Sequence, residues 1–367
     1  MIHYLVPAAQ QGGILEYLDF WGRPLVHRMR ALPYEELPGL RRMEPGTYVL
    51  SALDQLGPAM TRLVAALHGR LHGEAGFRFL NHPQATLRRF DLLGELHRAG
   101  FNEFRAVRAG GDLSRLRYPV FLRVEREHDG PASPLLETPR ELEAAIGRAL
   151  VRGHALANLL VVEFCATADD SGRFRKYAAF VVGDRVLPRN IVWGNDWMLK
   201  HDQGEYTRAS VMEELKYVRG GAHLTRLAEI ASLARVGYGR IDFAVKAGLV
   251  QTWEINLNPV IGRGRRPTLR VIPPDLQRVR FRSKRHFYRA FQAAWEAVDS
   301  SGGDGAARAL ELDPALARDA LLERQGSRRP AGRLAGYLEP ARPALERIAG
   351  GTLPWVARLA RWRTPRG

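Results

Sequence analysis

Tyr238-Gly-Arg-Ile-Asp-Phe-Ala-Val-Lys-Ala-Gly-Leu-Val-Gln-Thr-Trp-Glu-Ile-Asn-Leu-Asn-Pro259 is the stretch on which the fold turns. It reads as two short strands around a tight turn at Lys246-Ala247-Gly248-Leu249. A three-residue loop, Ala247 to Leu249, needs a left-handed residue, and Gly248 supplies it. That register sets Asp242 opposite Glu254 and Arg240 opposite Asn256. Strand side chains alternate between faces. Ile241, Phe243, Val245, Trp253, Ile255 and Leu257 then share an apolar face. Arg240, Asp242, Thr252, Glu254 and Asn256 share the polar one.

Directly opposed strand residues place their Cβ atoms roughly 4.5–5.5 Å apart. Two carboxylates at that separation repel unless a cation lies between them or one is protonated. Hard oxygen donors without imidazole or thiolate suit Mg²⁺ or Mn²⁺ rather than Zn²⁺. Magnesium is commonly shared with substrate phosphates. The hairpin alone admits two readings. One is a nucleotide–metal site. The other is a solvent-exposed amphipathic hairpin in which Arg240 pairs with Asp242 or Glu254.

The Arg-Ile-Asp, Glu-Ile-Asn and Asn-Pro pattern resembles the metal-binding end of the ATP-grasp superfamily, and the likeness extends over roughly residues 75–265. The resemblance implies that Asp242, Glu254 and Asn256 hold Mg²⁺ (or Mn²⁺) on the phosphates of ATP. Tyr118-Pro-Val-Phe-Leu-Arg-Val124 is similar to the family strand carrying a phosphate-contacting lysine, with Arg123 in that position. The segment from Asn81-His-Pro83 through Leu87–Leu93 to Ala99-Gly100 resembles the helix with an earlier basic ligand, matched by Arg89. Leu159-Leu-Val-Val-Glu-Phe-Cys165 resembles the hinge strand. Glu163 and Phe164 there imply backbone contacts to adenine, with an acidic side chain near the ribose. Arg173–Asp184 resembles the next hairpin, where Lys176 is chosen by face parity. Arginine stands where the family has lysine at 89 and 123; guanidinium keeps the charge and adds a planar fork. The family's glycine-rich flap is poorly matched by Glu125–Pro131.

At 367 residues with 46% hydrophobic content, the chain is long enough for several domains and a sizeable core. Cys165 is the one cysteine, so no internal disulfide or multi-cysteine metal site is possible; its strand context assigns it to a core. Met1-Ile-His-Tyr-Leu-Val-Pro7 lacks the basic start of a signal peptide, and no run approaches about 18 apolar residues. A cytoplasmic location is the expectation. The formal net charge is +16. A nucleic-acid, anionic-lipid or acidic partner would suit it, but no nucleic-acid motif accompanies it. The basic residues are almost all arginine: the lysines are Lys176, Lys200, Lys216, Lys246 and Lys284.

Residues 1–75 are expected to form an α/β unit, with strands at His3–Pro7 and Tyr48–Ser51 and helices near Gly13–Trp21 and Pro58–His72. The alternation predicts a parallel sheet. Gly12-Gly13 reads either as a plain loop or as a phosphate-facing helix start. Residues 76–155 and 156–299 are expected to be two α+β subdomains closing over a nucleotide cleft, the ATP-grasp arrangement the resemblance implies. Leu87–Arg98 has helical spacing with Gly100 as its stop. Thr138, Pro139 and Glu141 form a helix start. Residues 156–260 read as strand-rich, with one helix at about Leu224–Arg235. Ser283–Val298 carries Phe287, Phe291 and Trp295 at i, i+4 and i+8, a docking stripe. Residues 300–367 are expected to be a basic helical extension. It comprises a flexible break at Ser300–Gly305, helices at Pro314–Glu323 and Pro340–Ile348, and an amphipathic tail at Leu353–Trp362. That tail suits partner docking, a sister subunit in a homo-oligomer or an anionic membrane surface.

The function implied is an ATP-dependent carbon–nitrogen ligase. A carboxylate, on a small molecule or peptide, is activated as an acyl-phosphate and captured by an amine. Arg240 would steady the developing negative charge, and Arg263 with Arg265 would clamp a substrate carboxylate. His128 and Asp129 fall in the presumed flap and read as a surface turn or as ligand contacts. The alternatives are a kinase-like phosphotransferase and a nucleotide-binding module that recruits partners without turnover.

Overall fold

The computed structural model describes residues 1–127, 130–199, 206–262, 272–300 and 306–327. Arg263, Arg265, His128 and Asp129, the break at 301–305, and the expected elements at 340–348 and 353–362 lie outside the described residues. The chain falls into two compact units. One combines Met1–Asn102 with Ala166–Arg328, and the other contains Glu103–Cys165.

The first unit opens with β1 (Ile2–Val6), α1 (Gly12–Phe20), β2 (Met29–Pro33), β3 (Arg42–Met43), β4 (Gly46–Leu50), α2 (Pro58–Leu71), β5 (Phe77–Leu80) and α3 (Arg89–Arg98). The order β2-β1-β4-β5 makes a sheet in which every pair is parallel. β1 and β4 are buried along their whole length, the mark of parallel strands covered on both faces. β2, which falls between the two expected strands in the sequence, is the edge strand beside β1. It carries the exposed Arg30 and ends on Pro33, so it lacks the continuous apolar run that identified β1 and β4. β5, beyond residue 75, is the fourth strand. Gly12 and Gly13 open α1. α2 begins at Pro58, whose fixed φ suits the first helical position.

The second unit contains β6 (Ala106–Arg108), β7 (Val120–Val124), α4 (Pro139–Val151) and β8 (Leu159–Glu163). β8 is central in an antiparallel sheet of order β6-β8-β7. α4 starts as its sequence predicts: Thr138 Oγ1 accepts from Glu141 N at 3.3 Å, with Pro139 next. Leu142, Ala145, Ile146 and Ala149 bury one stripe of α4 with Val120, Leu122, Leu159 and Val161 in this unit's own core.

The first unit resumes with β9 (Phe174–Val182), β10 (Arg185–Gly194), α5 (Arg208–Gly220), α6 (Leu224–Leu233), β11 (Tyr238–Lys246), β12 (Leu249–Asn256), α7 (Pro274–Val298), β13 (Arg308–Ala309) and α8 (Pro314–Ser327). The order β10-β9-β11-β12 forms an antiparallel sheet. A single helix in 156–260 undercounts. α5 precedes α6, started by a reciprocal Thr207–Ser210 capping box and stopped by Gly221 at φ +63°. Val211, Leu215 and Val218, spaced i, i+4 and i+7, are its buried stripe.

The aromatic stripe of α7 docks on its own unit. Phe287, Phe291 and Trp295 are fully buried and meet Phe180, Tyr17 and Tyr238. Asn81, at φ +70°, joins the two sheets of the unit. Its Nδ2 donates to Leu50 O and Tyr238 O, and its Oδ1 accepts from Gly237 N and Tyr238 N, all within 2.9–3.0 Å. All four bonding positions of the amide are thereby used. Among the described residues no helix is long and apolar enough to cross a membrane.

Candidate functional site

β11 and β12 pair with Arg240 opposite Asn256 and Asp242 opposite Glu254, the register read from the sequence. Toward the turn the register departs from it. Lys246 pairs with Leu249, so the loop has two residues, Ala247 and Gly248, not three. Both have positive φ, +48° and +80°, as the tightest hairpin turns require. The remaining residue is taken up as a bulge: pairing shifts between Asp242 and Phe243, and Thr252 comes opposite Phe243. Thr252 therefore belongs to the buried Phe243 side, not the polar face, and is fully buried. Asn102 braces the bulge. Its Nδ2 donates to Thr252 O and its Oδ1 accepts from Thr252 N, both at 2.8 Å.

The polar face is not a solvated surface. Asp242 is 4% exposed and Arg240 9%. Arg240 grips Asp242 through a fork, Nε to Oδ1 at 2.6 Å and Nη2 to Oδ2 at 2.9 Å. The i, i+2 spacing on one strand permits this. Burial works to lower the Arg240 pKa, but Asp242 and Glu254 outweigh it and the net direction is upward. Lys176 Nζ, from β9, stands 3.9 Å from Asp242 Oδ2. Arg89, buried at the first position of α3, ion-pairs with Glu254. Asn256 Oδ1 accepts from Asn258 N at 2.9 Å. Arg89, Lys176, Arg240, Asp242 and Glu254 are thus one cluster, with Asn256 opposite Arg240 at its end. Its three cations exceed its two carboxylates, which suits an anionic ligand.

The segment after Asn256 is held against the first sheet. Tyr4 Oη lies 3.1 Å from both Tyr238 Oη and Asn258 Oδ1, and Asn258 Nδ2 donates to Gln10 Oε1 at 3.2 Å.

The other predicted ligands lie in the second unit. Arg123 is half-buried on β7, opposite Leu160. Glu163, at the end of β8, is 2% exposed. Its carboxylate accepts from the backbone N–H of Arg105 and of Arg117, at 3.1 and 3.0 Å, and from both guanidinium groups at 2.7–3.2 Å. Burial would raise its pKa, yet these bonds hold it below the usual carboxylate range. Glu163 N donates to Arg105 O and Phe164 N to Pro119 O, each at 2.9 Å. Arg105 and Arg117 had no sequence signal, because they lie 58 and 46 residues from Glu163.

No protein-family model and no curated protein matches the sequence. Solved structures similar to the chain include D-alanine–D-alanine ligase from Bacillus anthracis complexed with ATP (12% identity, TM-score 0.43, spanning 81% of this chain and 99% of that one). Another is a RimK domain protein ATP-grasp from Sphaerobacter thermophilus (15% identity, TM-score 0.44, spanning 80% and 98%). A third is N5-carboxyaminoimidazole ribonucleotide synthetase from Thermus thermophilus (17% identity, TM-score 0.41, spanning 70% and 71%). At these identities and scores, activity and substrate rest on the chain's own residues.

Proposed function

We propose that this chain is an ATP-dependent ligase of ATP-grasp type that joins a carboxylate to an amine. The observation that carries the reading is the pairing of buried Asp242 with half-buried Glu254 on adjacent strands, with Arg240, Lys176 and Arg89 around them. Two carboxylates and an amide oxygen, without nitrogen or sulfur donors, fit a hard divalent ion. On that donor chemistry Asp242, Glu254 and Asn256 would hold the Mg²⁺ or Mn²⁺. Such an ion offsets the charge of the β- and γ-phosphates.

The substrate carboxylate oxygen attacks the γ-phosphorus and the bond to ADP breaks. The amine nitrogen then attacks the acyl carbon, phosphate leaves and the nitrogen gives up a proton. In this reading Arg89, Arg123 and Lys176 bind phosphate oxygens, and Arg240 stabilises charge on the acyl-phosphate. Arg263 takes the substrate carboxylate. Glu163 and Phe164 contribute backbone groups to adenine, while the Glu163 carboxylate secures their strand through Arg105 and Arg117. The expected four-part division of the chain and its cytoplasmic location belong to the same proposal.

One observation favours a second reading, nucleotide binding without turnover. Asp242 and Glu254 already carry arginine partners, and a metal would have to share them. The test is purified protein with Mg-ATP, candidate amino acids and an amine. Release of ADP with amide formation supports the ligase. ADP with a stable phospho-product indicates a phosphotransferase, and tight ATP binding without turnover across a broad substrate panel indicates the module.

A further inference from the structure

A second charged cluster lies outside the hairpin, where β10, α5 and α7 meet. Arg189 is the extra residue of a bulge in β10, where pairing to β9 passes from Pro188 directly to Asn190. Bulges re-aim side chains. Here the guanidinium lies 5.1 Å over the Tyr288 ring, and its Nη2 donates to Tyr288 Oη at 3.1 Å. On α7, Arg280 stacks 4.1 Å over Tyr206. Its Nε is buried without a hydrogen-bond partner and comes no closer than 3.7 Å to Glu214 Oε1, too far for a hydrogen bond. Lys284 follows Arg280 by four residues, on the same face of the helix. Burial, then Arg280 and Arg189, push its ammonium down to about 8, against the upward pull of Glu214.

Arg280, Lys284 and, at Tyr288, Arg189 thus lie at successive turns along one side of α7, and Glu214, 2% exposed, is the carboxylate paired with Arg280. Buried charge persists cheaply only when it is paired. A surplus of two positive charges with an idle guanidinium N–H matches the charge and donors of a tetrahedral dianion. The aromatic rings hold both guanidinium planes in place, so little side-chain order is lost on binding. We propose that Arg189, Arg280 and Lys284 form a binding site for a phosphoryl dianion, either inorganic phosphate or a phosphomonoester.

The test uses the full chain in chloride buffer at fixed ionic strength, with calorimetric titration and thermal melting. Inorganic phosphate should bind saturably and raise Tm by roughly 2 °C or more. Lys284→Met should weaken that binding at least about tenfold while raising Tm in phosphate-free buffer, since it removes an uncompensated charge. Lys176→Met, in the hairpin cluster, should keep the phosphate response. That separates this site from the proposed nucleotide site. Arg189→Lys keeps charge but loses the fork, and should also weaken binding if Lys284→Met fails to fold. Tighter binding of glycerol 3-phosphate than of phosphate would support a phosphomonoester, and equal binding would support the inorganic ion. Absence of saturable phosphate binding, an unchanged response in Lys284→Met, or loss of the response in Lys176→Met would overturn the proposal.

Discussion

At the scale of single residues, Glu254 joins α3 to the hairpin through Arg89 while standing opposite Asp242. Glu254→Gln keeps the shape and removes the charge. It should reduce Mg-ATP turnover by at least about a hundredfold while circular dichroism stays unchanged, and an active variant would remove the metal assignment. His3 gives a pH prediction. It is buried on β1, stacked 4.4 Å from Tyr48, with Arg30 Nε donating to its Nδ1. Burial, then the charges of Arg30 and the N-terminus, lower its pKa from 6.5 to about 3, against Asp299. His3 is therefore neutral in the folded chain. Its contribution is intact above pH 6.5 and is lost as pH falls toward the folded value. His68, lowered to about 4, acts in the same direction. Urea stability should fall between pH 6.5 and 5 by up to about 1.4 kcal/mol per pH unit per histidine. His3→Gln should flatten that slope, and an unchanged slope would show that His3 is not its source.

At the scale of elements, helix and hairpin ends show which local signals governed folding. Thr138, Pro139 and Glu141 set the start of α4 as read, because a helix cap is settled within four residues. The turn of the hairpin was legible as a position but not as a type. The Asn102 amide that braces the bulge comes from 150 residues away. Asn102→Ala should cost roughly 1–3 kcal/mol, since it leaves buried groups of Thr252 unpaired. Chemical denaturation would measure it. The start of α2 has no side-chain cap of its own. Glu323 of α8 supplies one, accepting from Ala59 N and Met60 N at 3.2 and 3.0 Å. Glu323→Ala should destabilise by about 1 kcal/mol, and a neutral result would mean that α8 does not cap α2 in solution.

At the scale of the whole molecule, α8 belongs to the core of the first unit. Leu310 and Ala320 are buried in it, and Arg308 and Ala309 pair with β3. Truncation after residue 299 should therefore lower Tm while leaving Mg-ATP binding measurable by titration. Loss of binding in a folded truncation would mean that the extension completes the nucleotide site.

What the sequence by itself determined is whatever lies within one turn or one strand pair. The parallel N-terminal strands follow from the alternation of strands and helices, the α4 start from its cap residues and the apolar stripe of α7 from the 3.6-residue period, whereas the opposition of Asp242 to Glu254 and of Arg240 to Asn256, read from a three-residue loop, is reached through a two-residue turn and a bulge that Asn102 braces. Tertiary structure alone decided which distant groups meet. It brought Arg89 to Glu254 across 165 residues, Arg105 and Arg117 to Glu163, Asn81 to Tyr238, and Arg189 to Tyr288 on the helix that carries Arg280 and Lys284. The reason is physical. Periodicity reports which face of an element is apolar, but the choice of partner for a buried charge depends on where packing leaves that charge unpaired.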